Sequence, residues 1–549
     1  MAKNIVLCAD GTGNKGGYTP DSNVYKMYHA VDIHDADNPQ VIFYDNGVGT
    51  AQNKFLRALG GAVGFGFGTN VRDLYQYLAR KYEPGDRLSG GTTAPDKVYL
   101  FGFSRGAATI RAFSGFIHTC GLVDGRGLSN DALTERVDIE FEKYKQWRRN
   151  PELAQPCKKE AGRSHGVIDI QFLGVWDTVS ALGFPERTDI TSLGMWALNW
   201  LFVWLDRLTD QIPALAHRFY NYELTDNVRY AYQALALDDA RTAFWPWVWD
   251  EHGRDENTVE QVWFTGMHSN VGGGYNRSGL AKVTLEWMMA RASRHGLMLR
   301  EDVMNEVSAE AHVHGRMYDS RDGLAMFYRF HPRELRKLCR REKACCQKRL
   351  CDESRAFAVS TSELASQPGL KRSCNKLLGE IKVHNSLIER MCKRTANYAP
   401  TQLPDKFSVV ETDMTAPASV VTPAADKQWA DEKAVAERWI LFRKWLYGVM
   451  LESSLAVVGF ALYFWWTLPA SVTCVGVEGW KGDLAEILDY FLPDMFCGLI
   501  YEVVLQHTWI LWAAIVLLVL YIGVRNRARH FTVLAAERLR RLVIKAVNS

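Results

Sequence analysis

A serine lies between two glycines in Gly102-Phe103-Ser104-Arg105-Gly106, after the apolar run Lys97 to Phe103 and before the helical pattern RGAATIRAFSGFI. A serine hydroxyl is a poor nucleophile until a base takes its proton and an acid orients that base, so the pentapeptide calls for two partners elsewhere. GxSxG also needs a sharp strand-to-helix turn, and the flanking sequence predicts one. In this arrangement the base comes last along the chain, just past a strand, and His268 in VWFTGMHSNVGGGY meets both conditions; His118 and His217, on helical patterns, are its rivals. The acid belongs between them. Asp177 in FLGVWDTV ends a strong strand, and Asp239 in ALALDDAR is the alternative. Each residue also has a plainer reading: Ser104 as a turn serine, His268 as a core histidine, Asp177 as a buried cap of the next helix through Thr178. Donors for a developing oxyanion are expected from the backbone N–H of Arg105 and from Gly11 and Thr12 in the Asp10-Gly11-Thr12 turn. Neither metal nor cofactor is required. The DGTGN segment also suggests phosphate-transferring DxDGT enzymes, but Cys8 stands where their first aspartate would be.

Positioning these groups requires strands that end where the chemistry begins. Apolar runs at Asn4 to Ala9, Gln40 to Tyr44, Lys97 to Phe103, Ile168 to Val175, within Tyr230 to Leu237 and at Gln261 to Thr265 read as buried strands. Helical patterns cover Asn70 to Lys81 and Leu280 to Arg294. Alternating strands and helices point to an α/β fold of the α/β-hydrolase type, with a mainly parallel sheet and helices on both faces. Asp10, Ser104, Asp177 and His268 would all lie at carboxyl ends of strands, where open α/β sheets hold their ligands.

At 549 residues the chain exceeds one domain, and three regions are expected: a catalytic domain at 1–300, a helical basic extension and linker at 301–430, and a membrane anchor at 431–549. A formal charge of +3 gives no whole-chain argument for nucleic-acid binding. The N-terminus MAKNIVLCADG lacks the long apolar core of a signal peptide, and the eleven cysteines are scattered except for Cys339, Cys345, Cys346 and Cys351. A reducing cytosol is therefore expected for the catalytic part. The cysteine cluster departs from paired CxxC knuckles and reads as part of a solvated basic helix rather than a zinc site. Apolar stretches at about 446–468 and 503–524 predict two transmembrane helices forming a C-terminal hairpin, with basic flanks on the inside and an acidic loop outside. Two buried helices of a soluble domain are the alternative, supported by Glu452 and Glu502. Leu193 to Leu205 reads equally as an interfacial lid or as an ordinary buried helix.

CADGTGN, GFSRGAA, GVWDTVSALG, ALALDDARTAF and VWFTGMHSNVGGGY, in that order, resemble the DUF2235 family, which includes the Tle1-type phospholipase effectors of bacterial type VI secretion. The resemblance spans about residues 3 to 295. It implies a Ser-Asp-His triad on Ser104, Asp177 and His268 and hydrolysis of phospholipid acyl esters. It does not by itself imply secretion, since the C-terminal hairpin lies outside the shared region, and an immunity or secretion partner is a separate expectation. The family usually has aspartate where this chain has Asn270, so activity here requires that position to serve loop geometry. The leading expectation is a membrane-associated phospholipase A-like serine hydrolase, an antibacterial or lipid-degrading effector with its catalytic domain in the cytoplasm or delivered to a target cell. The bilayer would supply both substrate and anchor. A membrane-anchored esterase of other substrates and a catalytically degenerate membrane interaction protein are the alternatives.

Overall fold

The computed structural model describes, apart from short interruptions, residues 2–11, 20–47, 66–85, 93–150, 163–179, 220–335, 380–467 and 508–549. Residues 1–187, 202–429 and 540–549 form one compact unit; 188–201 and 430–539 form a second.

The first unit is built on a nine-stranded sheet. Its strands are β1 (Asn4–Ala9), β2 (Gln40–Asp45), β3 (Lys97–Phe103), β4 (Ile170–Trp176), β5 (Val228–Ala236), β6 (Val259–Phe264), β7 (Lys382–His384), β8 (Phe407–Val410) and β9 (Ser419–Val421). In space they run β9-β8-β7-β6-β5-β4-β3-β1-β2, every neighbour parallel except the antiparallel edge pair β8–β9. Period-two alternation divides each strand between two cores. In β1, Ile5, Leu7 and Ala9 face one side with Val98 and Leu100 of β3, while Val6 and Cys8 face the other with Tyr99, Phe101 and Phe103. Both faces are thus apolar, which is why these strands read as unbroken hydrophobic runs.

Helices cover both faces. On one side lie α2 (Phe67–Lys81), α3 (Arg105–Cys120) and α4 (Asn130–Arg149); on the other lie α1 (Asn23–Ala30), α6 (Gly279–Arg294) and α7 (Glu301–Glu310). A five-residue helix, α5 (His268–Gly272), follows β6, and α8 (Asn385–Cys392) follows β7. The expected α/β architecture with a mainly parallel sheet is observed. Strand order reverses at β1, between β2 and β3, which places a topological switch point at the carboxyl ends of β1 and β3.

Two expectations change. The stretch expected to be helical and then a linker, 301–430, supplies three strands of the sheet, and part of TDMTAPASVVTPAADK is the edge strand β9. The expected transmembrane hairpin is not found: among the described residues no helix is long and apolar enough to cross a membrane. The chain there forms α9 (Gln428–Thr467) and α10 (Thr508–Val547), but the expected spans run into residues outside those described. Glu452 interrupts the first apolar run on α9, while Arg443 and Lys444 precede it and Arg525, Arg527 and Arg529 follow the second run on α10. Within this second unit Trp439 stacks on Phe531 at 4.6 Å and Arg538 pairs with Glu432 at 3.2 Å.

Candidate active site

Ser104 sits between β3 and α3 with φ 59° and ψ −122°, a conformation that L-residues rarely adopt. The strain is held by packing around the turn. A Cβ on Gly102 would come within 2.7 Å of Ala107 Cα, and one on Gly106 would run into the carbonyls of Ala9 and Asp10. The two glycines of GxSxG therefore let α3 start hard against its own strand and against the end of β1. Ser104 N–H donates to Trp176 O at 3.1 Å, which ties the turn to the end of β4.

The residue after Trp176 is Asp177, fully buried and also at positive φ. Its Oδ2 lies 2.6 Å from His268 Nδ1, and His268 Nε2 lies 2.7 Å from Ser104 Oγ. Serine, histidine and aspartate, expected from three separate strand ends, are thus brought into one hydrogen-bonded line. Phe103 and Phe244 pack on the imidazole at centroid distances of 4.7 and 5.0 Å, leaving His268 only 3% exposed.

This burial sets the electrostatics. Burial alone would raise the Asp177 carboxyl, but the charge of Arg333 and hydrogen bonds from His268 and Arg333 hold it well below the usual carboxylate range. On His268 the balance runs the other way: burial lowers its pKa more than Asp177 raises it. The pair is therefore a carboxylate beside a neutral imidazole near neutral pH, the state a general base requires.

The rival acid is also close, on a different atom. Asp239 Oδ2 accepts the main-chain N–H of His268 at 3.2 Å, and its carboxylate pairs with Arg241 at 2.7 Å. It holds the loop, not the ring. The rival histidine His118 lies in the last turn of α3, whereas His217 falls outside the described residues.

Of the expected oxyanion donors, Arg105 N begins α3 directly after Ser104, at a helix N-terminus. Gly11 N–H donates to Asp10 Oδ1 at 2.6 Å, so it would have to exchange that bond to serve an oxyanion. Asp10 itself is held by Ser22 at 2.5 Å and Tyr44 at 2.6 Å. Thr12 lies outside the described residues, as do Leu193 to Leu205 and Cys339, Cys345, Cys346 and Cys351.

Asn270 lies on α5 two residues past His268. Its Nδ2 donates to Arg316 O at 3.3 Å and its Oδ1 accepts from Tyr318 N–H at 3.2 Å. Those are loop-bracing bonds, and an aspartate could make only the second. Sequence reasoning missed Arg333, which is fully buried and forks onto both oxygens of Asp177 at 2.6 and 2.8 Å. Its neighbours in the chain are charged and basic, and nothing there distinguishes it from a solvated arginine.

Residues 3–291 match the family model described as the type VI secretion Tle1-like phospholipase effector, catalytic domain. The chain belongs to that family. The resemblance carried by the five ordered motifs is thereby borne out. A curated relative of this Tle1-like chain is the uncharacterized protein YEL023C of Saccharomyces cerevisiae, 28% identical over 203 residues; the match covers 33% of this chain and 27% of that protein's own length. Among solved structures, an uncharacterized protein from Pseudomonas aeruginosa is 19% identical with a TM-score of 0.34, covering 60% of this chain and 50% of the other. A Tle1 effector bound to the VgrG spike of the type 6 secretion system is 13% identical with a TM-score of 0.33, covering 60% and 78%.

Proposed function

We propose that this Tle1-like protein is a serine phospholipase that cleaves acyl esters of membrane lipids. The observation that carries the reading is the continuous relay from Ser104 Oγ through His268 to Asp177, with both links at hydrogen-bond length. In the proposed reaction Ser104 Oγ attacks the acyl carbonyl while His268 Nε2 takes its proton. Asp177 holds the ring tautomer and stabilises the imidazolium. The oxyanion forms beside the N-terminus of α3, with the Arg105 N–H as its first donor. His268 then returns the proton to the departing lysolipid alkoxide, leaving an acyl-Ser104 ester. A water, deprotonated by His268, releases the fatty acid.

Family membership supports phospholipid as the substrate and an effector role, with delivery to a target cell by a secretion partner. A buried triad with two aromatic rings against the imidazole suits an apolar acyl chain. Contact with the bilayer, in this proposal, is made from the surface, through the exposed apolar residues of α10 such as Leu517 and Val519.

The test is chemical. A fluorophosphonate probe should label the wild-type protein in detergent and leave Ser104→Ala unlabelled. Expression of wild type, but not of His268→Ala, should raise lysolipid and free fatty acid. A protein that the probe never labels is not a serine hydrolase. Labelling without lysolipid would instead assign the site to an ester outside the phospholipids.

A further inference from the structure

Arg333 Nη1 donates to Asp177 Oδ1 at 2.6 Å and to the carbonyl of Ala236; Nη2 donates to Asp177 Oδ2 at 2.8 Å and to Phe244 O at 2.6 Å. The side chain is fully buried. The Ala236 N–H completes the set on Asp177 Oδ1 at 2.9 Å. Each carboxylate oxygen therefore accepts two hydrogen bonds, and only one of the four comes from the histidine. A planar guanidinium is the side chain suited to such a double grip, because its parallel N–H groups match the two carboxylate oxygens.

We propose that Arg333 is a positioning residue of the triad, which fixes the Asp177 carboxylate so that Oδ2 faces His268 Nδ1 and tunes His268 by its charge. This rests on the serine-hydrolase reading above and extends it to a fourth member, 156 residues beyond Asp177 in the chain. An unbraced aspartate could rotate and leave the imidazole without its partner. The tuning follows from sharing: a carboxylate already paired with a fixed cation gives less stabilisation to an imidazolium than an unshared one. Arg333 thus makes His268 a weaker base that stays neutral at lower pH. The other charged groups facing His268 are Asp239, at its main-chain N–H, and Arg241, paired with Asp239.

The test uses the full chain, with active sites titrated by fluorophosphonate so that misfolded molecules are not counted. The acid limb of kcat/KM should lie below about 6.5, the ordinary imidazole value, in the wild type, since burial lowers His268. In Arg333→Met the limb should rise by about one pH unit, and kcat per titrated site should fall by roughly 100-fold with KM little changed. Arg333→Lys keeps the charge and loses the fork, so its limb should stay near the wild-type value while kcat falls by at least about 10-fold. A purely structural arginine would lower the fraction of titratable sites and the melting temperature without moving the limb, and that result for Arg333→Met would overturn the proposal. If Arg333→Met does not fold, Arg333→Lys decides through kcat, and wild-type turnover in that variant sinks the positioning role. A wild-type protein that the probe fails to label removes the hydrolase reading itself; a labelled wild type with an indifferent Arg333 removes only this extension.

Discussion

Asp177 and Asp239 both touch His268, one at ring Nδ1 and the other at the main-chain N–H. On the proposed reading, that difference of atom separates a catalytic role for Asp177 from a structural one for Asp239. Asp177→Asn should favour the wrong imidazole tautomer, and kcat per titrated site should drop by roughly 10⁴-fold; it also leaves Arg333 buried without its carboxylate, so its denaturation midpoint should fall as well. Asp239→Asn leaves Arg241 buried without its carboxylate, a loss that costs about 3–5 kcal/mol for a buried pair broken on one side. Its signature should therefore be a lower denaturation midpoint, with kcat per titrated site within about 10-fold of wild type. If the two variants exchange these behaviours, the acid has been assigned to the wrong residue. Acid denaturation should involve both: the lowered carboxyls of Asp177 and Asp239 contribute stability that is present above the ordinary carboxylate pKa and lost as pH falls through their folded values.

At the scale of elements, the site depends on how closely α3 can approach β1. Gly106 lies against the carbonyls of Ala9 and Asp10, so Gly106→Ala must push the helix start away from the strand end. The substitution should destabilise the fold by about 1–3 kcal/mol, as overpacking generally does, and should slow probe labelling of Ser104 even in the folded fraction. Urea unfolding together with the labelling rate checks both parts, and unchanged labelling would mean that the turn tolerates a wider spacing. Much of this arrangement was legible in the sequence, because strands buried on both faces are unbroken apolar runs; Ser104 and Asp177 directly follow two of them and His268 comes four residues past the end of a third. Which of Asp177 and Asp239 meets the imidazole ring was not legible. Both follow β-strand signals, and only the direction of a side chain distinguishes them. Strands β7, β8 and β9 have three or four residues each, too few for a period to show, and the Pro- and Thr-rich surroundings of β9 read as a linker. Arg333 was illegible for a different reason: its carboxylate partner is distant in the chain, and arginine in a basic stretch is usually solvated.

For the molecule as a whole, the family match ends at residue 291, yet the structure that surrounds the site does not. Strand β6 pairs with β7 through Val262 and Trp263, so removing everything after residue 300 would expose a buried parallel edge on the very strand that delivers His268. It would also remove Arg333 from Asp177, and Tyr398, whose hydroxyl donates to Asp238 at 2.8 Å. Asp238 in turn accepts the Gly266 N–H at 2.7 Å, two residues before His268. Burial raises this aspartate to about 6, despite the hydrogen bonds from Gly266 and Tyr398, so without Tyr398 it would lose one of the donors that keep it ionised. A fragment of residues 1–300 should therefore be aggregated or molten and should not react with a fluorophosphonate. A fragment of residues 1–430 retains all nine strands and Arg333 and should be labelled. It should melt at a lower temperature than the full chain, because it lacks the Arg540 bond to Met391 O at 2.8 Å. Soluble yield, thermal melts and probe labelling of the two fragments decide the point. A folded 1–300 fragment that reacts at the wild-type rate would show that the matched region is self-sufficient and that the later strands and Arg333 are additions to a complete enzyme.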